Sequence, residues 1–153
     1  MSALLEAASL SKTFFSEHNA LPAVCNVSFS VAPGECLGLA GASGCGKSTL
    51  ARLLMGLTPA DSGTVSFNGQ PLDFADAALR KNYYSQVQLV FQNADAFHPR
   101  KSIGSSIMLP MLNYGCTKAA AQERSIALLL AAGLTPQHAE KFPHQLSGGE
   151  CQR

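Results

Sequence analysis

One stretch of the sequence has the residue types and spacing that suit the binding of a polyphosphate. Residues 41–48 read GASGCGKS and match the pattern GxxxxGK followed by Ser or Thr. Glycines at these positions let backbone N–H groups converge on phosphate oxygens, while the lysine neutralises the β and γ phosphates and the serine can ligate Mg²⁺. We therefore expect Lys47 and Ser48 to bind a nucleotide and its metal ion. The other predicted contacts are Gly41, Ser43, Gly44, Cys45, Gly46 and Thr49.

The segments on either side of this phosphate loop (residues 41–48) favour that interpretation. Cys36 to Ala40 is a short apolar run, which predicts a buried strand. A helical pattern follows the loop, with a stop signal at Gly56 and Pro59; its apolar members are Leu50, Leu53, Leu54 and Leu57. A glycine-rich turn that merely carries a lysine is the alternative, and it leaves a positive charge at a helix start, which is unfavourable without an anion.

A second candidate anion site ends the sequence, where residues 146–153 read LSGGECQR. Ser147 and Glu150 have the spacing of a capping box at a helix N-terminus. Two glycines in the first helical turn each cost about 1 kcal/mol relative to alanine, which a plain cap would not need. Bare N–H groups that can bind an anion explain Gly148 and Gly149 better, although the two interpretations are compatible.

The remaining elements predict a layer of antiparallel strands followed by helices. Leu4 to Thr13 and Ala23 to Val31 alternate and are expected to pair as antiparallel strands. Thr64 to Phe67 leads into Asn68-Gly69, a dipeptide that favours a tight hairpin turn. Gln86 to Phe91 reads as another core strand.

The region from about Arg100 to Gln145 is expected to be mostly helical. Its clearest helix is Lys118 to Leu134, with an exit signal at Gly133 and Pro136. Four apolar residues are expected to share one face of that helix: Ile126, Leu129, Leu130 and Leu134.

Composition narrows the class of protein. The net charge is +1 and only 14% of residues are charged, so nucleic acid is not an expected partner and part of the surface is expected to be covered. The five cysteines form neither a metal-binding pattern nor a disulfide framework, which suits a reducing compartment. We expect a cytoplasmic chain, because no apolar stretch reaches membrane-helix length and no secretion signal opens it.

GASGCGKST followed by LSGGECQR resembles the ATP-binding subunit of an ABC transporter. Within that family, VFQ followed by HPRKSI, together with SGCGKSTLARLL, is most similar to the ATPases of dipeptide, oligopeptide and nickel importers. The resemblance implies an α/β fold: a P-loop NTPase core with an antiparallel β-layer in about residues 1–99, and a helical subdomain in about 100–147. Residues 1–153 would be a partial ATP-binding domain, because the family's Walker B strand, catalytic Glu and switch histidine follow the signature.

The resemblance also implies roles for residues outside the loop. Gln92 would contact Mg²⁺ and water, so Gln92 and Lys47 are the predicted catalytic residues. Phe14 would stack on adenine, with Phe15 as the runner-up and an ordinary strand-end aromatic as the alternative. The signature would contact the γ-phosphate of an ATP held by a second subunit, through Ser147, Gly148, Gly149 and Glu150. The family usually has Gln in place of Glu150, Asn-Pro-Arg in place of residues 98–100 and Tyr in place of Phe14.

The implied function is coupling of ATP binding and hydrolysis to import of a small solute such as a peptide or a nickel complex. The implied partners are a second ATPase subunit, identical or not, and membrane-spanning permease subunits that hold the protein on the inner face of the membrane. A non-transport ABC protein would share these motifs, whereas another P-loop enzyme leaves LSGGECQR and QLVFQ unexplained.

A nucleotide-binding but catalytically inactive fragment is the other alternative. No apolar strand leads into Asp61, Asp73, Asp76 or Asp95, so none resembles a Walker B residue. The four histidines are expected to be surface or loop residues: His18, His98, His138 and His144. If residues 1–153 act alone, we expect binding without steady hydrolysis and, because an interior strand would be missing, low stability.

Overall fold

The computed structural model of the protein describes residues 3–16, 19–91 and 97–152. The chain forms two compact units, Met1–Leu89 and Val90–Arg153. The phosphate loop belongs to the first unit and the signature to the second. Within the described ranges, no helix has both the length and the apolar character needed to cross a bilayer.

The first unit is built on a four-stranded antiparallel sheet with the strand order β2-β1-β3-β4. Its strands are β1 (Leu5–Ser16), β2 (Asn19–Val31), β3 (Ser62–Phe67) and β4 (Gln70–Pro71). The long strand β1 pairs with β2 along its whole length, but with β3 only as far as the pair Ser11↔Ser62. The predicted antiparallel layer is confirmed. Its first two strands are longer than expected at the ends that face each other along the chain, since β1 continues to Ser16 and β2 begins at Asn19.

The hairpin between β3 and β4 turns at the predicted dipeptide. Asn68 and Gly69 have φ angles of 51° and 75°, which a tight hairpin turn of this hand requires at both central positions. The prediction for this hairpin is confirmed.

Two helices pack in the first unit. Helix α1 (Lys47–Leu54) buries Leu50 and Leu53 in a cluster with residues of β1, β2 and β3. Asp76 caps the N-terminus of helix α2 (Ala77–Gln86), where its carboxylate accepts the N–H groups of Ala78 and Leu79. The Tyr83 hydroxyl of α2 donates to the Leu54 carbonyl oxygen at 3.0 Å, and burial raises the pKa of Tyr83 to about 12.

Two predicted core strands are wrong. Residues 36–40 and 87–91 form no strand in the described structure, and α2 continues through Gln86. Their apolar side chains are largely exposed, including Leu39 at 48% and Val90 at 90%. An apolar run becomes a buried strand only when neighbouring strands pair with it, and within the described ranges the four strands of this sheet pair only with one another.

The second unit is helical, as predicted. It contains α3 (Ile103–Asn113), α4 (Lys118–Ala131), two short 3₁₀ helices (Pro136–Ala139 and Pro143–Gln145) and α5 (Gly148–Gln152). The hydroxyls of Ser102 and Thr117 cap α3 and α4 by accepting backbone N–H bonds. The buried cluster is formed by Ile103, Leu129 and Leu134, with Phe97, Ile107, Ile126, Ala132, Ala139 and Leu146 packed against it.

The prediction that Leu130 belongs to the apolar face of α4 is wrong, because Leu130 is 56% exposed. The buried side of α4 is marked by Ala121, Ser125 and Leu129, which follow one another at four-residue spacing. Leu130 lies about 100° around the helix from Leu129 and therefore points away from that side. Small residues on the buried side made the face hard to locate from apolar periodicity alone.

Candidate nucleotide-binding site

The phosphate loop connects residues 36–40 to the first turn of α1, and its backbone depends on glycine. Gly44 and Gly46 have φ angles of 82° and 97°, which side-chain-bearing residues rarely adopt. At Gly46 a Cβ atom would also collide with the carbonyl oxygen of Ala23 in β2. The close approach of the loop to β2 therefore requires glycine at this position.

Among the residues that the structure describes, no protein group satisfies the first N–H donors of α1. Gly46 precedes the helix and supplies no side-chain cap, and the first turn contains no acidic residue. The first backbone bond runs from the Leu50 N–H to the Gly46 carbonyl oxygen at 2.8 Å. Within residues 3–16, 19–91 and 97–152, the N–H groups of Lys47, Ser48 and Thr49 have no acceptor, so this helix start presents an anion site.

The Lys47 side chain folds back over the same loop. Its Nζ donates to the carbonyl oxygens of Gly41 and Ala42, each at 2.8 Å, and lies 3.5 Å from Cys45 Sγ. The Ser48 hydroxyl is exposed and has no hydrogen bond within the described part of the chain. The residues predicted to contact a nucleotide between positions 41 and 49 lie in one continuous segment, and their contacts with a nucleotide stay a prediction.

The donors of this segment match the chemistry of a Mg²⁺-bound polyphosphate. Phosphate oxygens supply the acceptors that the amides of the first turn lack, and an ammonium group neutralises their charge. The Ser48 hydroxyl offers the kind of oxygen ligand that Mg²⁺ accepts beside phosphate oxygens and water. The segment fits the predicted ligand and metal on these grounds.

The two candidate aromatic residues lie at the end of β1. Phe14 is 43% exposed and pairs with Leu21 of β2, whereas Phe15 is 81% exposed. The Lys12 ammonium lies over the Phe14 ring at 5.8 Å from its centroid. Phe14 is therefore the better held of the two rings, and adenine stacking stays a prediction.

The signature forms a complete capping box. The Glu150 carboxylate accepts the Ser147 N–H and the Ser147 hydroxyl, both at 2.7 Å, and the Glu150 N–H donates back to the Ser147 Oγ at 3.2 Å. These bonds, with the Ser147 N–H contributing most, lower the pKa of Glu150 to about 2. The N-terminus of α5 is thus closed by the protein's own side chains.

Gly148 and Gly149 are not required by the conformation of the second unit. Neither has a positive φ, and a Cβ atom at either position would meet nothing within 4 Å. Both are exposed at the start of α5. The absence of side chains here leaves room for a molecule outside this unit.

Comparison with known proteins gives the family. Residues 24–153 match the family model described as ABC transporter. The chain belongs to the ABC transporter family. It is similar to the nickel import ATP-binding protein NikE of Pseudomonas putida, with 48% identity over 122 residues, 78% of this chain and 45% of that protein. It is 41% identical to the oligopeptide transport ATP-binding protein OppF of Haemophilus influenzae, over 92% of this chain and 43% of that one.

The glutathione import ATP-binding protein GsiA of Pectobacterium atrosepticum is 42% identical over 86% of this ABC chain and 21% of its own length. The chain therefore spans less than half the length of these three relatives. Among solved structures, it is similar to the ATP-binding cassette MJ0796 in a post-hydrolysis state bound to ADP and Pi. That match has a TM-score of 0.84 and 26% identity, and it covers 97% of this chain and 65% of the cassette.

Gln92, the metal-contacting and catalytic glutamine predicted for the ABC site, lies outside the described residues. Two residues predicted to have no role in that site also lie outside them: His18, expected at the surface or in a loop, and Asp95, expected not to be a Walker B residue. His138 departs from the surface or loop position predicted for it. Its side chain is only 12% exposed, it belongs to the 3₁₀ helix Pro136–Ala139, and its Nε2 lies 3.4 Å from Glu150 Oε1.

Lys12 and Asp61 were not among the predicted site residues, yet they contact the segment that carries Phe14. Lys12 Nζ lies 2.7 Å from Asp61 Oδ1, and Asp61 Oδ2 accepts the Thr13 N–H at 2.7 Å. The Lys12 hydrogen bond, followed by that of Thr13, lowers the pKa of Asp61. In the sequence, the feature that could have indicated this contact is a lysine two residues before the candidate aromatic residue. Its partner Asp61 is 49 positions away, so the pairing could not be predicted from spacing along the chain.

Proposed function

We propose that the chain is the ATP-binding part of an ABC importer subunit. In the complete transporter it couples ATP binding and hydrolysis to import of a small solute such as a peptide or a nickel complex. The observation that carries the proposal is the helix start at Lys47, where three N–H groups that lack acceptors in the described part of the chain lie beside an ammonium group. The import assignment is supported by relatives named for nickel, oligopeptide and glutathione import.

The loop residues divide the work of holding the nucleotide. The first-turn amides of α1 donate to phosphate oxygens, and Lys47 exchanges its carbonyl acceptors for the β and γ phosphates. Ser48 and Gln92 are the proposed ligands of Mg²⁺, which supplies positive charge that offsets the charge of the phosphates when it is bound. Phe14 stacks on the adenine ring, and Gln92 orients water.

A second ATPase subunit, identical or different, is the proposed partner of the signature. Gly148 and Gly149 are dispensable for the local fold, which supports a role in close approach to a molecule from outside. In the proposal that molecule is the ATP of the partner subunit, whose γ-phosphate contacts the signature through Ser147, Gly148, Gly149 and Glu150. Closure of the pair is then a population shift driven by ATP.

The second unit is proposed to transmit this closure to membrane-spanning permease subunits. That arrangement would keep the protein on the cytoplasmic, inner face of the membrane as a peripheral subunit. Exposed apolar side chains of the second unit, among them Leu109 and Leu112 of α3, support a covered surface there.

A nucleotide-binding segment without turnover of its own is the second candidate for residues 1–153. The carboxylates of Asp61, Asp73 and Asp76 all accept backbone N–H bonds, which favours structural roles over that of a general base. An ATPase assay separates the two candidates. Mg²⁺-dependent turnover by the chain that is sensitive to Lys47→Ala would overturn the binding-only alternative.

Titration of ATP with Mg²⁺ tests the proposed binding site. Lys47→Ala is expected to weaken ATP binding about a hundredfold or more, because hydrogen bonds between charged groups are lost at a site that binds an anion. Arg52→Ala is the matched control, since it removes one positive charge from the exposed side of the same helix. An ATP titration unchanged by Lys47→Ala would contradict the proposal.

A further inference from the structure

The end of β1 is held by a side chain where the backbone ladder stops. Pairing between β1 and β3 ends at Ser11↔Ser62. Asp61, the residue before Ser62, donates its N–H to the Ser11 carbonyl oxygen at 2.9 Å, and its carboxylate then accepts the Thr13 N–H at 2.7 Å. The Asp61 side chain thus continues the hydrogen bonding of the sheet by one step, up to the residue before Phe14.

The same carboxylate fixes the Lys12 ammonium. The Lys12 side chain is only 14% exposed, and a lysine side chain buried to that extent is stabilised by an anionic partner for its ammonium group. Asp61 Oδ1 provides it at 2.7 Å. The register of β1 against β2 shifts on both sides of Lys12, so the backbone here is irregular and these side-chain bonds define its course.

The fixed ammonium lies over the Phe14 ring. At 5.8 Å from the ring centroid it is within the range of a cation–π contact. Phe14 as a residue is still 43% exposed, so the ammonium does not enclose it. A ring held on one face in this way keeps its other face for a second flat ring.

We infer that Lys12 and Asp61 are positioning residues for the base of the nucleotide, acting through Phe14. Asp61 holds the backbone before Phe14 and the Lys12 ammonium, and the ammonium in turn holds the Phe14 ring by contact with one of its faces. The inference rests on the proposed function, because it takes Phe14 as the stacking residue. Neither Lys12 nor Asp61 contacts the nucleotide itself.

Binding of two ligands by the full chain tests this, with ATP and inorganic tripolyphosphate each titrated in Mg²⁺. Lys12→Met keeps the apolar stem and removes the charge, and Asp61→Asn keeps an acceptor for Thr13. Each is expected to weaken ATP binding about threefold, the size of an exposed cation–π contact, and to leave tripolyphosphate binding unchanged. Lys12→Arg should retain ATP affinity, because a guanidinium also stacks on a ring. Arg52→Met, which removes one positive charge elsewhere in the chain, is the matched control and should leave the affinity for both ligands unchanged.

The Phe14→Ala background decides whether the effect passes through the ring. Phe14→Ala alone should weaken ATP binding but not tripolyphosphate binding, and Lys12→Met should add nothing to it. The inference is overturned if Lys12→Met weakens both ligands equally, if its effect persists without the ring, or if neither Lys12→Met nor Asp61→Asn has an effect while Phe14→Ala does.

Failure of the proposed function gives different results. If Phe14→Ala leaves ATP binding unchanged, the stacking role is wrong and the inference falls with it. If the unaltered chain binds neither ATP nor tripolyphosphate, the phosphate loop itself is wrong. The tripolyphosphate titration also shows whether each variant has kept a folded loop.

Discussion

The two glycine-rich helix starts of this protein differ in which groups accept hydrogen bonds from their first backbone N–H donors. At α1 the cap position is Gly46, no side chain closes the helix, and three N–H groups lack acceptors in the described residues. At α5 the Ser147 hydroxyl and the Glu150 carboxylate close the start reciprocally. The first start is open to an anion as it stands, whereas the second must exchange internal bonds if its serine is to bind one.

The glycines of the two starts also differ in what requires them. Gly46 is required by its positive φ and by the nearby carbonyl of Ala23, so the fold of the first unit explains it. Gly148 and Gly149 have ordinary φ angles and free space around them. At α1 the fold of the first unit itself therefore requires glycine. At α5 the fold of the second unit does not, which supports a requirement set by a molecule outside that unit.

Gly46→Ala should give the largest effect in a test of this comparison. The strained φ and the collision with Ala23 should lower the free energy of unfolding by more than about 2 kcal/mol. ATP binding should fall with it, because the loop can no longer approach β2. Chemical denaturation and ATP titration measure both.

Gly44→Ala is the matched control for Gly46→Ala, since it shares the positive φ but has nothing within 4 Å. It should cost only the backbone strain, about 1 kcal/mol. If both variants lost the same free energy of unfolding, the close approach of the loop to β2 would not be the reason that position 46 requires glycine.

Ser147→Ala should have the next largest effect. Removal of a serine cap costs about 1 kcal/mol, so α5 should open more often. Hydrogen exchange at the Cys151 amide, which donates to the Ser147 carbonyl oxygen at 3.0 Å, reports this opening. Exchange should speed up about fivefold, while Ser147→Thr, which keeps the hydroxyl, should stay close to the unaltered chain. Unchanged exchange in Ser147→Ala would show that the capping box does not stabilise α5.

Gly148→Ala and Gly149→Ala should change stability least, and in the opposite direction. Alanine is a better helix former than glycine by up to about 1 kcal/mol, and neither position resists a side chain. The free energy of unfolding should therefore stay level or rise. A loss comparable to that of Gly46→Ala would remove the distinction between the two helix starts.

The Glu150 carboxyl should titrate far below its ordinary range. Because its pKa is lowered from 4.5 to about 2 in the folded chain, the capping box contributes its stability in full above pH 4.5. That contribution is lost as the pH falls from 4.5 toward 2. NMR titration of the Glu150 side chain should give a midpoint near 2 in the unaltered chain. A midpoint near 4.5 would contradict the closed capping box, and Ser147→Ala should raise it.

Elements whose conformation depends on residues close by in the sequence were predictable from the sequence. The Asn68-Gly69 turn, the helix after the phosphate loop and the capping box at Ser147 all follow from local backbone preference and hydrogen bonding. The strands expected at 36–40 and 86–91 were not found, because an apolar run does not reveal whether another strand will lie beside it. The position of Leu130 was misjudged because Ala121 and Ser125, both small, mark the buried side of α4.

The sequence by itself determined the family pattern, the phosphate loop and the signature, because their glycines, lysine and serines act within a few residues of one another. Only the tertiary structure decided that Lys47 hydrogen-bonds to the carbonyls of its own loop, that His138 reaches Glu150 and that Asp61 holds the Lys12 ammonium over the Phe14 ring. Lys12 and Asp61 become neighbours because β3 begins beside the middle of β1. Contacts of that kind depend on strand pairing across the sheet, which spacing along the chain does not encode.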